Sequence, residues 1–428
     1  MFALLIYRII SLLLSPIILL ALLLRSLTNS QYRQRLSERL GFIATPYKKH
    51  GIIVHAASVG EVIALTPLIE QLLQTYPDSP ITLTTFTPTG STQVKKQFSS
   101  RVQHYFLPLD LLPCTQLFLT RLEPKLMVFM ETELWPNLIS QCKNKQIKLL
   151  LINGRLSANS MKSYNKISLL ITPALNSFDK ILCQSQDNLN NFIHLGADNE
   201  RCLLSGNLKF DISINDAILD KQAQLTTLLP KHRQLWLVAS THQGDEEVAL
   251  TAFKQIKALF PTLLLVIVPR HPERFKTVEK LSLSHNFTIA KRSENKRVES
   301  EDIWLLDTLG ELMAAYALAD IITMGGSFSN IGGHNPLEPA LFNKPIVVGS
   351  DMSNFTEVLK QLKQLQGIVQ LPPSRTNTEQ SSQLAQMIID LLQDESQAEL
   401  LGKQAHQVVI NNQGASERTL SYIQELMT

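Results

Sequence analysis

Little in this sequence points to disulfides, metals or nucleic acid. Only four of its 428 residues are cysteine (Cys114, Cys142, Cys183 and Cys202), and no two of them form a Cys-x-x-Cys pair. That spacing argues against a disulfide framework or zinc site and for buried thiols in a reducing compartment. No tight His or Cys cluster calls for a metal, so none is expected. Charged residues make up 18% of the chain and the net charge is +3, too small to neutralise many phosphates; no nucleic-acid partner is expected. Internal repeats, low-complexity segments, a GK[ST] phosphate loop and a GxGxxG fingerprint are also missing.

The amino terminus has what the rest lacks. Phe2 to Leu24, FALLIYRIISLLLSPIILLALLL, is broken only by Arg8 and Pro16. At about 1.5 Å per residue this run can cross a hydrocarbon core of ~30 Å. Leu22-Leu23-Leu24-Arg25 is not the small-residue site of a cleaved signal peptide. Arg25, Arg33, Arg35 and Arg39 follow the run, which places the body of the protein on the cytoplasmic side of a single N-terminal anchor. A buried core helix is the bland alternative, and Arg8 leaves open a helix lying in the interface.

After an anchor (1–24) and a basic connector (25–48), short apolar runs alternate with helix-length stretches. Gly51 to Ala56, Ile81 to Phe86, Lys125 to Met130, Ile147 to Ile152, Lys180 to Cys183 and Cys202 to Leu204 read as strands. Glu61 to Tyr76 has helical spacing. Runs that do not alternate in polarity indicate a parallel sheet covered on both faces. A polar lapse over 212–234 reads as a linker between a first domain (49–211) and a second (235–428) that ends in closing helices. The pattern resumes at Leu235 to Ala239, Leu263 to Pro269, Phe287 to Ala290, Ile303 to Leu306, Ile321 to Met324 and Ile346 to Val348. The expected fold class is α/β, with two doubly wound Rossmann-like domains.

Ligands bind such sheets beyond the carboxyl ends of strands. Glu61, in Ala57-Ser58-Val59-Gly60-Glu61, is placed there either as a general base or merely to complement a helix dipole. Glu131 and Glu133 follow the KLMVFM strand, and Lys209 lies in Gly206-Asn207-Leu208-Lys209-Phe210-Asp211. In the second half, Arg270 follows a strand and suits phosphate, with a solvated loop arginine as the alternative. Gly310 opens a turn before Glu311 and Leu312. Gly325, Gly326 and Ser327, then Gly332 and Gly333, let backbone amides approach an anion or simply make a tight connection. Asn335 and Glu338 are placed to hold ribose hydroxyls, and His334 is most simply a loop histidine.

In this order, HAASVGE, METELWPN, INGRLS, GNLKFD, PRHPER, DTLGEL and GGSFSNIGGHNPLEPA resemble the bacterial Kdo (3-deoxy-D-manno-octulosonic acid) transferases specific for lipid A, over essentially the whole chain. The resemblance implies the GT-B architecture, with the active site in the cleft between its two domains. It implies an inverting transfer of Kdo from CMP-Kdo to the lipid A precursor (lipid IVA) at the inner membrane, in lipopolysaccharide core biosynthesis. By motif match, Glu61 is the base, and Glu131 and Lys209 stabilise the transition state. Pro269, Arg270, Gly310, Glu311, Leu312, Asn335, Pro336, Leu337 and Glu338 contact CMP. No cofactor or metal is implied. The alternatives are a UDP-sugar-dependent lipid glycosyltransferase of the same architecture and an inactive membrane scaffold. A helix N-terminus should lower the pKa of Glu61 and weaken it as a base.

Overall fold

A computed structural model describes residues 2–28, 32–44 and 47–428. Met1 of the expected anchor, and residues 29–31 and 45–46 of the expected connector, lie outside the described residues. The chain divides into two compact units, one of residues 1–211 with 412–428 and the other of residues 212–411.

The first unit is built on β1 (Ile52–His55), β2 (Ile81–Thr85), β3 (Gln103–Phe106), β4 (Leu126–Met130), β5 (Lys148–Gly154), β6 (Lys180–Cys183) and β7 (Cys202–Leu204). They form one sheet in the order β3-β2-β1-β4-β5-β6-β7, with every neighbouring pair parallel. Side chains alternate across a strand. Met127 and Phe129 of β4 and Leu149 and Leu151 of β5 therefore enter one core. Leu126, Val128, Met130, Leu150 and Ile152 enter the other. With apolar layers on both faces, worth roughly 1.5–3 kcal/mol per fully buried side chain, these strands have no face left for polar residues.

The second unit has β8 (Leu235–Thr241), β9 (Leu264–Pro269), β10 (Ile289–Lys291), β11 (Ile303–Leu305), β12 (Ile321–Met324), β13 (Ile346–Val348) and β14 (Val369–Gln370). Its order is β10-β11-β9-β8-β12-β13-β14, again parallel throughout. The doubly wound α/β class read from the sequence holds in both units.

Four details differ from the sequence reading. The 212–234 stretch is not a bare linker: it contains a helix, Asp216–Leu228, capped by Asn215 and burying Leu225. The closing helix Ala415–Met427 belongs to the first unit, not the second. Ala415 and Ile423 join the first unit's core, the carboxylate of Asp211 accepts from the amides of Gly414 and Ser416, and Arg418 donates to the carbonyl of Ser205 at 2.8 Å. The stretch from Glu61 to Tyr76 is two helices, Val59–Ala64 and Thr66–Thr75, because Pro67 starts a new first turn. Finally, β3 and β14 were not anticipated; both are partly exposed edge strands without a continuous apolar run.

The N-terminal helix, α1 (Phe2–Thr28), is long and apolar enough to cross a membrane, as expected.

Candidate active site

In the first unit the strand order reverses between β1 and β4, which makes a crevice at their carboxyl ends. Glu61 enters it from the helix after β1. Its Oε2 accepts from the amide of Ala57 and its Oε1 from the hydroxyl of Ser58, both at 2.8 Å, while Ser58 caps the helix from the other side. This is a reciprocal capping arrangement, so the expected placement of Glu61 at the helix start is physically realised.

The expected fall in its pKa is not. Burial pushes the Glu61 carboxyl above its usual range; the bonds to Ser58 and Ala57 oppose that, and the negative charges of Glu131 and Glu133 reinforce it. Desolvation and neighbouring acids outweigh these two hydrogen bonds.

Glu131 follows β4 with φ of 59°, a left-handed backbone that costs a non-glycine residue about 1–2 kcal/mol. Such strain concentrates at functional sites. Its amide extends the ladder to the Ile152 carbonyl (3.0 Å), and its carboxylate meets Lys209 Nζ at 3.2 Å. Lys209 is delivered by a 3-10 turn, Leu208–Phe210, whose Leu208 amide donates to the side chain of buried Asn153. Both partners are about one-fifth exposed, so the pair adds at most ~1 kcal/mol of stability; it chiefly fixes position.

The structure thus gathers Glu61, Glu131 and Lys209 at one sheet edge. It adds a residue that the sequence reading did not single out, His55. Glu133 accepts from Trp135 Nε1 at 3.0 Å and lies 3.6 Å from Nε2 of His55, which is fully buried at the end of β1. The histidine of HAASVGE was the available signal.

In the second unit the order reverses between β8 and β12. Pro269 ends β9 beside Thr241, and the Arg270 amide donates to the Thr241 carbonyl at 3.0 Å. The Arg270 side chain is exposed, and its guanidinium makes no hydrogen bond or ion pair among the described residues. Arg274 is instead committed to buried Glu246, donating to Oε2 at 3.0 Å.

His242, after β8, meets His334 edge to edge, with ring planes 6° apart, ring centroids 5.1 Å apart and Nε2 atoms 2.9 Å apart. One of these nitrogens donates and the other accepts, so the pair cannot be doubly charged in this geometry. Burial, then the neighbouring cations, lower the pKa of His242 and bring that of His334 down to about 4. Asn335 accepts from the Leu337 amide at 3.2 Å and reaches Glu338 at 3.5 Å, which places Pro336, Leu337 and Glu338 in one short helical turn. Burial pushes Glu338 up to about 7, against the pull of Asn335 and Arg270.

The candidate phosphate loop, Gly325, Gly326 and Ser327, is tied into the fold. The Gly325 amide donates to Ala239 and the Gly326 amide to Asp245, each at 2.7 Å. The Ser327 hydroxyl donates to Met324 and accepts from Gly349. The glycines are also required by space: a Cβ at Gly325 would lie 2.6 Å from the Ser240 carbonyl oxygen, and Gly326 has φ of +70°.

Gly310, Glu311 and Leu312 follow β11, two strands from β8. Glu311 is ion-paired to Arg292 at 2.8 Å, and the Gly310 carbonyl accepts from Lys221 at 2.7 Å. Lys221 lies on the helix that occupies the expected linker. Among the described residues no three His, Cys, Asp or Glu side chains converge in a metal-ligating group.

Residues 34–212 match the family described as 3-deoxy-D-manno-octulosonic-acid transferase (kdotransferase). The chain is 41% identical over 411 residues to the 3-deoxy-D-manno-octulosonic acid transferase of Haemophilus influenzae, covering 95% of each. It is 37% identical over 328 residues to that of Rickettsia felis, covering 76% of this chain and 69% of the relative. Among solved structures, the UDP-GlcNAc 2-epimerase of Neisseria meningitidis bound to UDP-GlcNAc superposes with a TM-score of 0.59 at 14% identity, over 89% of this chain and all of that one. At that identity the likeness speaks for the fold alone, two Rossmann-like units of the GT-B class.

Proposed function

The chain belongs to the bacterial Kdo transferases, and from that membership we propose that it moves Kdo from CMP-Kdo onto the lipid A precursor, lipid IVA, with inversion at the anomeric carbon and Glu61 as general base. It is a glycosyltransferase of lipopolysaccharide synthesis.

The observation that carries the mechanistic part is the environment of Glu61. A carboxylate at the switch point of a parallel sheet, with its pKa raised by burial and by Glu131 and Glu133, is a better proton acceptor than an exposed one. In the proposed step the acceptor hydroxyl gives its proton to Glu61 as its oxygen attacks the anomeric carbon. The bond from that carbon to the CMP phosphate oxygen breaks, and its electron pair leaves with CMP. A single displacement forms no covalent adduct and inverts the centre. Lys209, held by Glu131, supplies positive charge beside the reacting groups.

Arg270 suits the phosphate of CMP because its guanidinium fork is exposed and uncommitted, while Arg274 and Arg292 are already paired to Glu246 and Glu311. Pro269, Gly310, Glu311, Leu312 and the Asn335–Glu338 turn complete the donor set by motif. We take the reaction to need no divalent ion, since CMP leaves with a single phosphoryl group whose charge a guanidinium can match. The lipid acceptor and the apolar α1 together support action at the cytoplasmic face of the inner membrane.

Purified protein incubated with CMP-Kdo and lipid IVA should yield CMP and an acceptor heavier by one or more Kdo units, with an anomeric configuration opposite to the donor's. Turnover of a UDP-sugar in place of CMP-Kdo would overturn the donor assignment, and a retained anomer would overturn the single displacement.

A further inference from the structure

Helix α1 does not stand apart from the first unit; it lies along it. Near its start, Tyr7 donates to Asp110 Oδ2 at 2.9 Å, and Arg8 Nε donates to Asn137 Oδ1 at 3.0 Å. Asp110 is buried and also accepts from the amides of Asn137 and Leu138, so this latch is tied to the N-terminus of helix Pro136–Asn144. Near its end, Leu22 is buried in a cluster with Leu109, Leu111 and Cys114. From Arg8 to Leu22 a helix advances by about 21 Å. A rod held to a folded body over that length cannot also cross a bilayer along its normal, unless buried Asp110 and its polar partners sink into hydrocarbon with it. That burial would be costly.

The residues turned toward the body, Tyr7, Arg8, Ser11, Ser15, Leu19, Leu22 and Ser26, recur at helical spacing and include most of the helix's polar side chains. The opposite side is apolar and bare: Leu13 is 72% exposed and Ile17 62%. This bare face is continued by helix Ser168–Leu175, which packs against α1 and leaves Leu169 83% exposed. The charged residues of α1 and of the two helices it packs against have one sign. The sequence has no Asp or Glu from Met1 to Ser37, nor from Leu134 to Phe178, while Lys143, Lys145, Lys162 and Lys166 are exposed on or beside the helices that α1 touches.

We propose that α1 lies in the plane of a single leaflet, docked on the first unit, and that its bare face, with Leu169 and these lysines, forms a monotopic surface for anionic phospholipid. Apolar residues enter the acyl boundary while lysines meet the headgroups. Helix Pro136–Asn144, which receives α1, begins directly after the Glu131–Trp135 turn, so one element links the lipid plane to the crevice; this last point rests on the proposed transfer.

The test uses the full chain in phosphatidylglycerol–phosphatidylcholine vesicles, with single cysteines introduced from residue 9 to residue 24 and spin-labelled. The four native cysteines are buried and do not compete. Labels at Leu13, Ile17, Leu20 and Leu24 should share one shallow depth, with labels at Ser11 and Ser15 shielded by protein. Depth that climbs to mid-bilayer and falls again would establish a spanning helix and overturn the proposal. Spin–spin coupling between copies across the bare face would also overturn it, in favour of a second chain as the occupant. Replacing Lys143, Lys145, Lys162 and Lys166 together by Gln should weaken binding to anionic vesicles roughly tenfold or more and leave binding to neutral vesicles unchanged. Equal loss on both, or no loss, would remove anionic lipid as the partner.

Discussion

At the switch point of the first sheet, the segments after β1 and β4 carry Glu61, Glu131 and Glu133; at that of the second, the segments after β8, β9 and β12 carry His242, Arg270, His271 and His334. The backbone problem solved is the same in both places. The titrating groups among these differ in kind, carboxylates in the first and imidazoles in the second. Burial is the main cause of the shift in each; in the first crevice Glu131 and Glu133 add to the rise of the Glu61 pKa, and in the second the neighbouring bases add to the fall of those of His242 and His334. Topology supplies a place where strands end and helices begin, and side-chain sign decides what each place does. On the proposed function, the first crevice takes the proton of the acceptor and the second holds the phosphate of the donor.

The largest effect that separates the two crevices is expected from Glu61→Gln. General-base catalysis contributes about 10²–10⁴-fold, so single-turnover transfer should fall by that much while CMP affinity stays unchanged. Loss of a helix-capping bond limits any fall in stability to about 0.5–2 kcal/mol. A variant that bound CMP poorly would break the division of labour between the crevices. Next in size is Arg270→Ala. Removing a charge-assisted contact of about 1.5–3 kcal/mol should weaken CMP binding roughly tenfold or more, measured by calorimetry, with the rate at saturating donor largely retained. Glu131→Gln sharpens the first crevice further. Its negative charge raises the Glu61 pKa, so removing it should move the acid limb of the pH–rate profile to lower pH. An unmoved limb would mean that another group titrates there.

Much of this was legible in the chain. In β4 and β5 apolar runs covered on both faces cannot be mistaken for amphipathic strands, and the acids of METELWPN follow such a run directly. What stayed hidden depended on partners distant in sequence. Nothing local marks Asp245 as the acceptor that ties down Gly326, so the packing role of this glycine pair was not legible in its motif. The C-terminal helix joins the first unit because Asp211, about two hundred residues earlier, caps it. The Asp216–Leu228 helix buries one narrow stripe around Leu225 and otherwise reads as linker.

The smallest effect concerns stability against pH, and it lies in the second crevice, where two groups pull in opposite directions. His334 has a folded pKa of about 4, below its ordinary 6.5. Its contribution is complete above pH 6.5 and is lost as pH falls toward 4. Glu338 is displaced the other way, up to about 7 from 4.5. Its contribution is complete below pH 4.5 and is lost as pH rises through 7, because the unfolded chain then releases the proton more readily than the fold does. Glu338→Gln removes the second loss and leaves the first. Between pH 5 and pH 8, the wild type should therefore lose on the order of 1–2 kcal/mol that the variant keeps, read from denaturant midpoints at each pH. Arg270 stabilises the ionised form of Glu338, so Arg270→Ala should shift the wild-type loss to higher pH. If both variants tracked the wild type across this range, the proton on Glu338 would not be coupled to folding, and the contrast between the crevices would rest on the imidazoles alone.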